Sequence, residues 1–154
     1  MKITKNHVYW ALNYYHFVND GIVFLIPIII AIYFQKFQLS YTQTSILFTV
    51  HTLFIVTTQI FVGKLVDLNQ EARIYIVGSV FTTISTITLL FPSNFTSLLF
   101  LIIFNGIGLG FVHSILYVNG AKLFPHNRER KMAIQGSMGD FGKVVAIFST
   151  ILLD

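Results

Sequence analysis

From Ile74 to Ala121 the chain runs for 48 residues without a single Asp, Glu, Lys or Arg. As one helix at 1.5 Å per residue this stretch would measure ~72 Å, about twice what a bilayer requires. It has to fold back on itself, and Pro92-Ser93-Asn94 is the turn-forming spot near its middle. The stretch therefore predicts two membrane-spanning helices, over 74–91 and 96–119. A second uncharged stretch, Phe37 to Gly63, supplies another span over 41–62. A first helix is predicted over 8–34, with a kink at Pro27. A fifth, over 132–153, follows the cluster Arg128-Glu129-Arg130-Lys131. The expectation is an all-α integral membrane chain of five spans joined by short loops, forming a single transmembrane bundle.

Composition bears on what else the chain could be. Charged residues make up 10% of it, against about 25% in an ordinary soluble domain. A chain of 154 residues has much surface per volume and normally needs charge to stay soluble. Cysteine is absent, which excludes disulfides, thiol catalysis and Cys-ligated metals. The net charge of +4 does not suggest nucleic acid, because the basic residues sit between apolar stretches and not in a patch. The start resembles a signal peptide, with Lys2 and Lys5 before an apolar run. Asn13, His16, Asn19 and Asp20 interrupt that run and no small-x-small site follows it, so it reads as a retained helix.

Placed on the five spans, Lys2, Lys5, Lys64, Arg73, Lys122, Arg128, Arg130 and Lys131 fall on one side, and only Lys36 on the other. Positive charge is retained in the cytoplasm, so the amino terminus is expected there, in a multi-pass protein of the cell membrane. Tyr9, Trp10, Tyr33, Tyr41, Tyr75 and Tyr117 lie near predicted helix ends, at the depth of an aromatic belt.

Polar groups inside the spans are the candidates for function, because ionisable groups at bilayer depth cost about 2.5–3.5 kcal/mol and usually face a cavity or a partner. Asn13, His16 and Asp20 form one stripe on the first helix, within about 60° of one another at 100° per residue. Asp20 lies ~18 Å into that helix, near the midplane, where a carboxyl is either protonated or facing water and so open to titration. His51 stands midway along the second helix, Asn105 and His113 in the fourth, Asp140 and Lys143 near the centre of the fifth. Asp140 and Lys143 are three residues apart and can pair on one face. Lys143 is too deep to reach the headgroups, which favours a counter-ion role or contact with an anionic substrate. An intramembrane His is often only a hydrogen bonder between helices, and His51 and His113 are open to that reading. The third helix carries only Ser and Thr, so helices one, two, four and five are expected to surround a hydrated pathway while the third faces lipid. Gly106 and Gly110 form a GxxxG pair, and Gly136, Gly139 and Gly142 thin one side of the fifth helix.

With these residues in view the chain resembles the major facilitator superfamily along essentially its whole length. Gly63-Lys64-Leu65-Val66-Asp67 is similar to that family's loop signature between helices two and three, although Leu68, Gln70 and Glu71 replace its basic continuation and Arg73 supplies one late charge. The resemblance implies that Gly63 and Asp67, with Arg73, govern closure on the cytoplasmic side. His16-Phe17-Val18-Asn19-Asp20 followed by Pro27 looks like the first helix of the fosmidomycin-resistance-like branch. Leu123-Phe124-Pro125, then Arg128-Glu129-Arg130 before a glycine-rich helix, also fits. The intramembrane Arg that many drug–proton antiporters carry in the fourth helix is missing, with Ile102 and Phe104 where it could stand, which argues against drug efflux.

Family members have twelve helices in two six-helix halves, each an inverted pair of three. The resemblance thus implies a truncated six-helix bundle, most of the amino-terminal half of a transporter. Its expected partners are the bilayer, a small-molecule substrate, protons, and a missing carboxy-terminal half or a second copy. Alone, its polar stripe is expected to face lipid. Asp20 is the expected proton-coupling carboxyl and His16 its tuning group; Asn13, His51, Asn105, His113, Asp140 and Lys143 complete the expected substrate pathway. No enzyme, cofactor or metal is expected. Two alternatives stand beside this reading. One is a non-catalytic helper subunit. The other is an intramembrane metal enzyme built on His16, Asp20, His51 and His113, which lacks HExxH or any HxxxH pair.

Overall fold

Short polar boxes write the start of two helices. Ser40 and Gln43 satisfy each other's backbone: Gln43 N–H donates to Ser40 Oγ at 3.2 Å, and Ser40 N–H to Gln43 Oε1 at 2.8 Å. This reciprocal capping box opens a helix with two of its orphan donors satisfied. At the turn after Pro92, Ser97 N–H donates to Asn94 Oδ1 at 2.9 Å, and Ser97 Oγ receives the N–H groups of Ser93 and Asn94.

The computed structural model describes residues 4–66 and 71–152. Five α-helices account for nearly all of them: α1 Lys5–Lys36, α2 Tyr41–Val66, α3 Glu71–Thr88, α4 Phe95–Leu123 and α5 Arg128–Ile151. A single 3₁₀ turn, Pro125–Asn127, leads into α5. Four of the five begin before the apolar window that suggested them, and α1, α2 and α4 outlast theirs, because a helix continues into the headgroup zone where charge is tolerated. α3 lies three residues earlier than its apolar window, ending at Thr88 in a turn closed by Leu90 N–H to Ile87 O and Phe91 N–H to Thr88 O. Pro27 lies inside α1 without ending it.

Three of these helices, Lys5–Lys36, Tyr41–Leu65 and Phe95–Leu123, are long and apolar enough to cross a membrane by themselves. α3 has 18 residues with Arg73 in its first turn, and α5 carries Arg128, Glu129, Arg130, Lys131, Asp140 and Lys143, which dilute its apolar character.

The described residues divide into two compact units. Residues 1–25 with 116–154 form the first, and residues 26–115 the second. In the second, a core of Ile26, Ile30, Tyr33, Leu39, Leu47, Leu89, Leu98 and Ile102 is closed by Tyr33 OH donating to Leu90 O at 2.9 Å. α4 is the spine of this unit. A Cβ at Gly106 would lie 2.8 Å from His51 O, and one at Gly110 would lie 2.6 Å from Thr58 Cβ, so both glycines seat α2. A Cβ at Gly108 would lie 2.9 Å from Thr82 Cα, which places α3 against the opposite side. Two residues on a helix are 200° apart, so alternating glycines serve two neighbours. Outward, α3 presents Ile76, Val77, Val80, Ile84 and Ile87, and α2 presents Leu53, Val56, Ile60 and Phe61. In water such apolar faces would be an aggregation hazard; in lipid they face their own kind.

Candidate functional site

In the first unit the polar stripe of α1 faces inward. Asn13, His16, Asn19 and Asp20 are all buried. The stripe does not face outward as the isolated-bundle expectation held, because α5 packs over it with its small side. Gly139 and Gly142 make that approach possible. A Cβ at 139 would lie 2.7 Å from Asp20 Oδ2 and 3.0 Å from His16 Nε2. A Cβ at 142 would collide with the carbonyl of Phe17. Gly136 meets nothing within 4 Å and needs to be small for neither purpose.

The charges assemble around this crossing. His16 Nε2 lies 3.3 Å from Asp20 Oδ1, one turn along α1. Asp20 Oδ2 lies 3.3 Å from Lys143 Nζ, across from α5. Lys143 Nζ also donates to Asp140 Oδ1 at 2.8 Å. Lys143 is thus held between a buried carboxylate and an exposed one: Asp20 is 6% exposed, Asp140 75%. His16 Nδ1 meets the main-chain carbonyl of Gln135 at 2.8 Å. Gln135, itself fully buried, donates its side-chain amide to Leu116 O at 2.9 Å and so ties that turn of α5 to the end of α4. Asn13 turns back on its own helix, donating to Tyr9 O at 2.8 Å.

At the charged end of the same unit, Tyr9 OH donates to Lys131 O at 2.9 Å, and the Lys131 ammonium lies 4.3 Å from the Tyr9 ring and 4.5 Å from the Phe124 ring. Two aromatic faces around one cation secure the start of α5 against α1.

The second unit holds a separate polar network. His51 Nε2 is 3.1 Å from Asn105 Oδ1, and Asn105 Nδ2 donates to Ser85 Oγ at 3.3 Å and Thr86 Oγ1 at 3.1 Å. Asn105 is fully buried and its amide oxygen accepts, so His51 carries its hydrogen on Nε2. This network joins α2, α3 and α4 and has the character of a helix–helix hydrogen bond in lipid. It also revises the view of α3 as a lipid-facing bystander: its outer face is apolar, but its inner hydroxyls hold Asn105. His113 is half-buried on α4. Of the loop residues, Gly63 has open space around its Cα, Arg73 is exposed in the first turn of α3, and Asp67 lies outside the described residues.

Gln135 and Gly108 escaped the sequence reading. A signal for Gln135 exists: it precedes Gly139 by four residues and Lys143 by eight, so all three share one face of α5.

The sequence model of the Major Facilitator Superfamily matches residues 14–154. Neither the curated proteins nor the solved structures contain a significant match. The stretch matched takes in His16, Asp20, the loop signature and all of α2 to α5.

Proposed function

The chain belongs to the major facilitator superfamily, a membrane-embedded family that transports small solutes, and on that premise we propose that it forms one bundle of a proton-coupled secondary transporter. Asp20 is the coupling carboxyl, His16 tunes it, and Lys143 with Asp140 contributes to a substrate or gating site. The observation that carries this reading is a buried carboxylate bridged on one oxygen to His16 and on the other to Lys143, each at 3.3 Å. An ionisable cluster is costly to keep at bilayer depth and is a functional candidate there by default. Near the midplane, alternating access would expose Asp20 to each side in turn.

In this reading the five helices form one transmembrane bundle, most of an amino-terminal half, and the amino terminus lies in the cytoplasm of the cell membrane. Gly63, Asp67 and Arg73 govern closure on that side. Alternating access needs two bundles rocking about a site, so the bundle works against a complementary half or a second copy. Asp140, three-quarters exposed, supports a further partner at that face.

The test is proton movement in proteoliposomes loaded with a pH-sensitive dye and challenged with a panel of small solutes. A solute that moves protons identifies the substrate class. Asp20→Asn should then abolish solute-driven proton movement while solute exchange persists, since exchange needs no net proton transfer. Unchanged coupling in Asp20→Asn removes Asp20 from the mechanism.

A further inference from the structure

We propose that the corner of the first unit where α4 passes into α5 holds an anionic phospholipid, with its phosphate diester between Lys122 and Arg128 and an acyl chain along Val118, Ala121 and Pro125. The site stands apart from the transport reading and needs only a membrane-embedded chain.

A cavity of about 440 Å³ is lined by Val118, Ala121, Lys122, Pro125 and Arg128. Val118, Ala121 and Lys122 stand at i, i+3 and i+4 and so share one face of α4. Lys122 lies in the last turn of that helix, and Val118 lies four residues deeper, ~6 Å along the axis. Because α4 is long and apolar enough to cross a membrane, this order has a direction. The apolar wall lies toward the bilayer interior and the cations lie at its rim. Val118 and Ala121 are half-buried, whereas Lys122, Pro125 and Arg128 are exposed. Pro125, in the 3₁₀ turn, extends the apolar wall, since its nitrogen carries no hydrogen to donate.

A second cavity, of about 430 Å³, shares Pro125 and Arg128 with the first and adds His126, Glu129 and Arg130 to the lining. Arg128 and Arg130 outweigh Glu129 there, so the rim is positive on both sides of Arg128. Lys131 is engaged elsewhere, with its ammonium over the rings of Tyr9 and Phe124.

Three features of the ligand follow. Lys122 and Arg128 call for an anion, and the guanidinium fork matches two phosphate oxygens while the ammonium adds a point charge. Val118, Ala121 and Pro125 call for hydrocarbon, which a free phosphate lacks. The end of a spanning helix lies at headgroup depth, where phosphodiesters and acyl chains occur together. An anionic phospholipid meets all three requirements. A zwitterionic one brings its own cation against Lys122 and Arg128. Arg128 is the first residue of α5, so the bound lipid braces the last turn of α4, the 3₁₀ turn and the start of α5 against one another.

The experiment is native mass spectrometry of the full chain released from nanodiscs of phosphatidylglycerol and phosphatidylcholine in equal parts. The expected result is a phosphatidylglycerol molecule retained in preference to phosphatidylcholine. Lys122→Gln and Arg128→Gln should each weaken that retention about fivefold, the share of one basic residue near a lipid surface. Lys5→Gln is the control: it removes the same charge from the exposed start of α1, at the end tied to α5 by Tyr9 and Lys131, but outside the cavity, and should change nothing. In mixed micelles, added phosphatidylglycerol should raise the unfolding midpoint of wild type and Lys5→Gln but not of Arg128→Gln, and the midpoints without it reveal any folding defect. Equal retention of the two lipids, or an equal loss in Lys5→Gln, overturns the site and leaves only general surface charge. Displacement of the lipid by inorganic phosphate overturns it too, making the cavity a site for the free anion.

Discussion

Gly142→Ala is the sharpest test of the crossing that builds the site. The added Cβ would collide with the carbonyl oxygen of Phe17 and lie 2.8 Å from its carbon and 3.1 Å from its Cα. Ordinary contact begins at 3.4 Å, and these are main-chain atoms of α1, which have no rotamer to escape into. α1 must therefore be pushed off α5 as a body. Overpacking of this kind costs about 1–3 kcal/mol, and an obstacle made of backbone places it at the upper end. Replacing a helical glycine by alanine returns at most about 1 kcal/mol. The net expectation is a loss of roughly 2 kcal/mol. Gly136→Ala is the matched control on the same helix: nothing lies within 4 Å of its Cβ, so it keeps the propensity gain without the clash. The two variants should differ by roughly 2–3 kcal/mol in equilibrium unfolding from mixed micelles, followed by circular dichroism. Equal stabilities, or a more stable Gly142→Ala, would refute the close packing of α1 on α5 and with it the enclosure of Asp20.

Three further outcomes follow from the same geometry. Lys143→Met leaves Asp20 without its cation and should cost roughly 2 kcal/mol, below the 3–5 of a fully buried pair because Lys143 is about one-third exposed; stability should return in Lys143→Met/Asp20→Asn, and a double variant no better than the single would sever the link. Asn105→Ala removes the hydrogen bonds to His51, Ser85 and Thr86. At about 0.6 kcal/mol for each such bond in lipid, it should lower stability by roughly 2 kcal/mol in the same unfolding assay, with His51→Ala adding little on top. Gln38 holds a left-handed φ of 50° at the end of α1, where Leu39 N–H reaches back to Phe34 O. Gln38→Gly should therefore raise stability by about 0.5–1 kcal/mol, and a loss would show that the turn is held by something other than backbone preference.

The fold was legible wherever one residue's chemistry sufficed to decide. Charge-free runs divided by Pro92-Ser93-Asn94 located α3 and α4 because a bilayer imposes a length, and no tertiary knowledge is needed to apply it. Helix ends were less legible, since they depend on caps such as Ser40 with Gln43 and not on hydropathy. The role of α3 was only half legible for a related reason. Ser85 and Thr86 look featureless in sequence, and only a buried Asn105 on a neighbouring helix turns their hydroxyls into partners. Gly108 falls outside the GxxxG pattern, which marks one face of a helix, while α4 has neighbours on two.

The site shows the same division more sharply. Spacing along one helix put Asn13, His16 and Asp20 on a stripe and paired Asp140 with Lys143, and both groupings stand in the structure. What spacing could not supply is that the stripe and the pair meet, since Asp20 and Lys143 lie on helices at opposite ends of the sequence. The means of meeting are glycines, which carry no chemistry of their own, and a main-chain carbonyl, which every residue has. Gln135 matters for the carbonyl it places and for the amide that braces it, neither of which its residue type announces. A lone acid at bilayer depth would be expensive. Set between an imidazole on one oxygen and an ammonium on the other, it has a partner on each side. The polar residues of α1 are therefore intelligible only together with the small residues of α5: enlarging Gly139 or Gly142 would leave every charge in the sequence and still dismantle the arrangement that gives those charges a use.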